Sequence, residues 1–110
     1  MELEYFYWEG HKEKNSIRKK LNRSIGQYTR YYKKIKIGIS CNPERRKNEH
    51  NISGKGWRKM IILYKTTSKK YIDSLEKEVI DYHWDYVENE VSGGGGQKGV
   101  SPYYLYILIK

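Results

Sequence analysis

One cysteine stands in the 110 residues, so no disulfide can form within the chain. Cys41 and the three histidines fall in no zinc-ligand spacing. Any metal would therefore be held through oxygen, which favours magnesium or manganese over zinc. Long apolar runs are missing too: mean hydropathy is −0.94, and nothing approaches the ~20 residues needed to cross a bilayer. The opening MELEYFYWEGHKEK lacks the basic, then apolar, then small-residue order of a secretory signal. The expectation is a soluble intracellular protein with no membrane partner. No internal repeat and no domain-sized linker interrupts the chain, and its length suits one domain with one modest core over residues 1–110.

Acidic residues are scarce in one stretch above all. Between His11 and Lys36 only Glu13 opposes ten lysines and arginines, so this segment carries the whole formal charge of +9. Such a segment attracts polyphosphate and gains from counterion release. Arg18, Lys19, Arg23, Arg30, Lys33 and Lys34 are its candidate nucleic-acid contacts. A solvated helix face is the plainer reading. Tyrosine supplies 12 of the aromatics against one Phe and three Trp. With aliphatics scarce, these rings must serve the core as well as any stacking on bases.

The pattern of elements is mixed. Leu3 to Trp8 reads as an aromatic strand ending at Glu9-Gly10. From Asn15 or Ser16 a helix is expected, with Ile17, Leu21, Ile25, Tyr28 and Tyr32 on one stripe and Gly26 as a point of bending or termination. Ile35 to Ser40 alternates as a strand. Asn42-Pro43-Glu44 then starts a short helix running to about His50, with an Asn cap, Pro at its first position and an acid near its positive end. Trp57 to Tyr64 is a core strand, and Ser68 caps a longer helix. Tyr103 to Ile109 is the most apolar strand. The fold expected is α+β: a small, about three-stranded, mixed or antiparallel sheet flanked by three helices, with a basic helical insertion or extension at about 15–34.

Some residues stand out chemically. Glu76 lies among Ile72, Leu75, Val79 and Ile80 on one helical face, where a carboxylate needs a cation or a hydrogen-bond donor. An edge-of-stripe Glu reaching water is the alternative. Arg46 and His50 are one turn apart, placing a guanidinium beside an imidazole, which suits a phosphate. Ser92-Gly-Gly-Gly-Gly-Gln lacks the Lys-Ser/Thr of a phosphate-binding loop and reads as a flexible turn. No Ser-His-Asp or Cys-His set is visible.

In order, IKIGIS, then Asn42-Pro43-Glu44-Arg45-Arg46, then His50, resembles the second half of the GIY-YIG nuclease motif. The Gly38-to-Arg46 spacing matches that family and selects Arg46 over Arg45. Leu75-Glu76 resembles its metal-binding Glu, and Asn89 with Gly93-Gly94 resembles its closing Asn-x-x-x-Gly-Gly. Lys36 stands in place of the motif tyrosine, as in the branch reading K-I-G. The G-I-Y strand is not obvious: LEYFYW offers Tyr7 and keeps chain order, while YYLYIL offers Tyr106 as the alternative. Tyr7 is favoured here.

The resemblance implies a metal-dependent endonuclease hydrolysing phosphodiester bonds, with double-stranded DNA the favoured substrate. Glu76 would hold Mg²⁺ or Mn²⁺, Arg46 would meet transition-state charge, and Tyr7 or Tyr106 would activate water with Lys36 close by. His50 would relay a proton or hold a phosphate oxygen, and Asn89 would order the site. The competing class is a non-catalytic basic nucleic-acid-binding module of the same fold. A third is an adaptor for acidic proteins or membrane surfaces.

Overall fold

The computed structural model describes residues 1–9, 14–90 and 99–110. The expected Ser92-to-Gly99 turn, with Gly93-Gly94, lies outside the described residues except for Gly99. The elements run β1 (Glu2–Glu9), α1 (Lys14–Tyr31), β2 (Ile35–Ser40), α2 (Pro43–Ile52), β3 (Lys59–Thr66), α3 (Lys69–Tyr82) and β4 (Tyr103–Ile109), with a 3₁₀ turn at Trp84–Tyr86. The architecture is α+β, as expected, but the sheet has four strands rather than about three, in the order β1-β3-β4-β2. The additional strand is β1, which pairs parallel to β3 at one edge. Strands β3 and β4, and β4 and β2, pair antiparallel.

Side-chain chemistry explains this order. In β4 (YYLYILI) all but Tyr104 are buried, as suits a strand covered on both faces and flanked on both sides. In β1, Tyr5, Phe6 and Tyr7 stay exposed, and Glu2 and Glu4 pair with Lys59 of β3. Charge and exposure mark it as an edge.

One sheet face carries the main core. Ile37, Ile39, Leu63, Leu105 and Ile107 meet Ile17, Leu21 and Ile25 of α1 and Ile72, Leu75, Val79 and Ile80 of α3. The apolar stripe of α1 is as the spacing predicts, but the helix continues through Gly26 to Tyr31. It also begins at Lys14, so neither Asn15 nor Ser16 is its cap. The opposite face carries a smaller cluster of Trp57, Met60, Ile62, Tyr106 and Leu108. His50 of α2 rests on Tyr106 there.

Both expected caps form. The Asn42 side chain accepts from the Arg45 amide at 3.2 Å, and that of Ser68 from the Tyr71 amide at 3.1 Å. Each satisfies one of the first amides of a helix, a contribution of about 1 kcal/mol. Among the described residues, no helix is long and apolar enough to cross a membrane.

Candidate phosphate-handling site

Strand β2 begins the site. Its antiparallel register sets Lys36 opposite Leu108, Gly38 opposite Tyr106 and Ser40 opposite Tyr104. Directly opposed residues share a face, so Lys36 and Gly38 lie on the side that bears Tyr106. Any Cβ at Gly38 would run into the hydroxyl and ring of Tyr106. Glycine is required there because the tyrosine lies across the strand.

Helix α2 supplies the partners. Arg46 donates from Nε to the Tyr106 hydroxyl at 3.3 Å, and His50 Nε2 lies 2.9 Å from the same oxygen. The one-turn spacing of Arg46 and His50 thus converges on a single phenol. Burial first, then the nearby charges of Arg46 and Lys36, pull the His50 pKa down to about 4. Its imidazole is neutral at pH 7 and can accept through Nε2. Burial raises the Tyr106 phenol, against the lowering influence of Arg46, so the phenol keeps its proton. In the tautomer with Nε2 unprotonated, the hydrogen bonds run one way: Arg46 Nε–H donates to the Tyr106 oxygen, and Tyr106 O–H donates to His50. Burial works against the Arg46 cation, but contacts with Tyr106 and with Glu49 at 3.3 Å hold its pKa up on balance.

Glu76 arrives from α3. It is 8% exposed, and its charge reaches Tyr106, helping to raise the phenol. Among the described residues no three His, Cys, Asp or Glu side chains gather as a metal cage. Glu76 is thus a single carboxylate rather than part of such a cage.

Asn89 acts on the backbone. Its side chain accepts from the Ile37 amide at 3.0 Å and donates to the Ile37 carbonyl at 2.8 Å. Glu88 N donates to Ile35 O at 2.7 Å. This segment closes the outer edge of β2 beside Gly38, so Asn89 is a positioning residue.

Tyr7 does not join this group. It sits on β1, separated from β2 by β3 and β4, with its ring 6.5 Å from that of Tyr104. Of the two tyrosines weighed, it is Tyr106 and not the favoured Tyr7 that lies beside Arg46 and His50, because β4 rather than β1 is the antiparallel partner of β2. Chain order suggested the N-terminal strand; burial of both faces of YYLYILI put the C-terminal one in the centre.

The basic helix is also displaced from the site. Arg18, Lys19 and Arg23 border a groove with Glu78, Asp81 and Tyr82 between α1 and α3, on the sheet face opposite Tyr106. Arg18 pairs with Glu78 at 3.6 Å. Arg30 and Lys33 are exposed near the end of the helix. Lys34 alone of the six is near the site. It lines a 530 Å³ cleft with Lys36, Lys55, Trp57, Glu88, Asn89, Glu90 and Lys110.

Sequence reasoning missed Lys55 and Lys110 in that cleft. The signal for Lys110 was available: Tyr104, Tyr106, Leu108 and Lys110 follow at period two along β4 and its end. Burial first, then the neighbouring Lys55 and Arg46 charges, lower the Lys36 pKa against the opposing charge of Glu90. The chain matches no protein-family model, no curated protein and no solved structure.

Proposed function

We propose that this chain is a metal-dependent endonuclease of GIY-YIG character, hydrolysing phosphodiester bonds in nucleic acid. The observation that carries the reading is the convergence of Arg46 and His50 on the Tyr106 hydroxyl, with Lys36 on the same face. Strand β4 stands beside β2 as the G-I-Y strand of the resemblance would, which supports reading Tyr106, at the other end of the chain, as the motif tyrosine.

The proton path follows the hydrogen bonds. As water attacks phosphorus, one of its protons passes to the Tyr106 oxygen while the phenol proton passes to His50 Nε2. The P–O bond to the leaving 3′ oxygen breaks, and His50 is left as imidazolium. Arg46 and Lys36 offset the extra negative charge on phosphorus, and a single well-placed donor of this kind is worth about 3 kcal/mol of barrier. Glu76 would hold Mg²⁺ or Mn²⁺, which would supply Lewis-acid stabilisation of the developing negative charge.

A second reading has its own observation. Tyr106 is 2% exposed beneath α2, so a non-catalytic nucleic-acid-binding module needs no movement of that helix, whereas cleavage needs water to reach the phenol past Arg46. Magnesium-dependent nicking of plasmid DNA separates the two. Glu76→Ala should abolish nicking and leave salt-sensitive DNA binding in place; equal nicking by that variant removes Glu76 from the metal site.

A further inference from the structure

The sheet face that bears Tyr106 does not end there. Tyr104 lies two residues away on the same strand and the same face, about 7 Å along β4. Its ring packs edge-to-face against both Tyr5 and Tyr7 of β1, at centroid separations of 6.4 and 6.5 Å. Tyr5 and Tyr7 meet one another at 6.2 Å. The three rings form a closed cluster set at 69° to 90° to one another. Tyr5 is 49% exposed and Tyr7 37%. Burial and then the Glu44 charge raise the Tyr5 phenol, and α2 packs near β1.

Clustered exposed aromatic rings mark a surface suited to a partner. The chemistry of that partner can be read from the surroundings. All three members are tyrosines, whose flat rings suit flat partners better than aliphatic side chains. Lys65 holds its ammonium over the Tyr104 ring, 5.8 Å from its centre, so a cation stands at the cluster. The platform leads along β4 directly to the Arg46–Tyr106–His50 group, and the lysine cleft of Lys36, Lys55 and Lys110 lies at the other end of the same strand. Base pairs within a duplex keep their faces stacked on one another and cannot offer them to tyrosine.

We propose that Tyr5, Tyr7 and Tyr104 form a stacking platform for unpaired nucleobases, making a single-stranded segment the part of the nucleic acid lying next to the candidate site. The proposal rests on the nucleic-acid reading above but not on cleavage. It names the preferred substrate as an unpaired strand, a flap or a frayed end, ahead of uninterrupted duplex. Bases stack on the tyrosines, and their phosphates run past Lys65 and Arg46 toward the lysine cleft.

The test is fluorescence polarisation in EDTA, where no cutting occurs, with a short labelled oligothymidylate and an abasic strand of the same length. Wild type should bind the oligothymidylate at least about tenfold more tightly than the abasic strand. Tyr5→Ala with Tyr7→Ala should lose most of that difference and leave abasic binding unchanged, whereas Tyr5→Phe with Tyr7→Phe should keep it. Equal wild-type affinity for the two strands overturns the platform, and this result does not depend on any variant folding. A concentration-dependent dimer in sedimentation that the Ala pair abolishes also overturns it, in favour of a second copy. A platform that fails while plasmid nicking persists leaves the nuclease reading intact. Absent nicking with base-dependent binding sinks the nuclease reading and keeps the platform.

Discussion

Gly38 and Tyr106 face each other across the β2–β4 pairing, and the tyrosine ring fills the space that a side chain on the glycine would occupy. That relationship fixes where the phenol oxygen goes. The ring is laid over an edge strand whose far side is closed by Asn89, and its hydroxyl emerges under Arg46 and His50. A glycine in the middle of a strand ordinarily weakens it. Here it is the condition for the site.

Gly38→Ala should therefore overpack the sheet face. Forcing an extra methyl into a filled space costs about 1–3 kcal/mol, and the displaced ring would no longer meet Arg46 and His50. Denaturant unfolding checks the stability. The coupling is specific: Gly38→Ala combined with Tyr106→Leu should be less destabilised than the sum of the two single changes, because the collision is removed. Simple additivity would contradict the packing described.

His50 makes stability depend on pH in a defined direction. Its pKa lies at about 4 in the fold, below the ordinary 6.5. Between those values the unfolded chain binds a proton that the folded chain does not. The stability associated with the neutral imidazole is complete above pH 6.5 and is lost as pH falls toward 4. Arg46, Lys36 and Lys55 face it with positive charge and Glu49 with negative, so burial and net repulsion act together. His83, also lowered by burial, adds a loss of the same sign. Urea midpoints over this range should fall less steeply for His50→Gln than for wild type. Parallel curves would place the pH dependence elsewhere.

Much of this was legible in residue patterns. The caps at Asn42 and Ser68, the apolar stripe of Ile17, Leu21 and Ile25, and the Tyr103–Ile109 strand all follow from local chemistry, which the tertiary structure leaves unopposed. The expected proximity of Arg46 to His50 is helical geometry. The order of strands was not legible, because strand pairing is a competition between segments far apart in the chain. Tyr7 and Tyr106 each occur in an aromatic strand, and only burial of both faces separates them. The placement of the basic helix was not legible for a related reason. Its charge is plain in the sequence, but the sheet face to which its apolar side docks is a tertiary outcome, and it docks away from Tyr106.

Gly26 offers a check on the helix that runs through it. A Cβ there meets only His83 Cε1, at 4.0 Å, an ordinary contact. Gly26→Ala should stabilise the protein by roughly 0.5–1 kcal/mol through helix propensity and a less mobile unfolded chain. The measurement is thermal or denaturant unfolding. A loss of stability would mean that α1 and the His83 segment pack more tightly than described.

The central claim is that the Tyr106 hydroxyl, and not that of Tyr7, works on a phosphodiester. Magnesium-dependent plasmid nicking by wild type, Tyr106→Phe and Tyr7→Phe tests it in one assay. The account predicts that Tyr106→Phe loses nicking by at least about a hundredfold, as general acid–base groups of this kind do, while still binding DNA. Tyr7→Phe should cut like wild type. Undiminished cutting by Tyr106→Phe, or loss in Tyr7→Phe alone, would contradict the account.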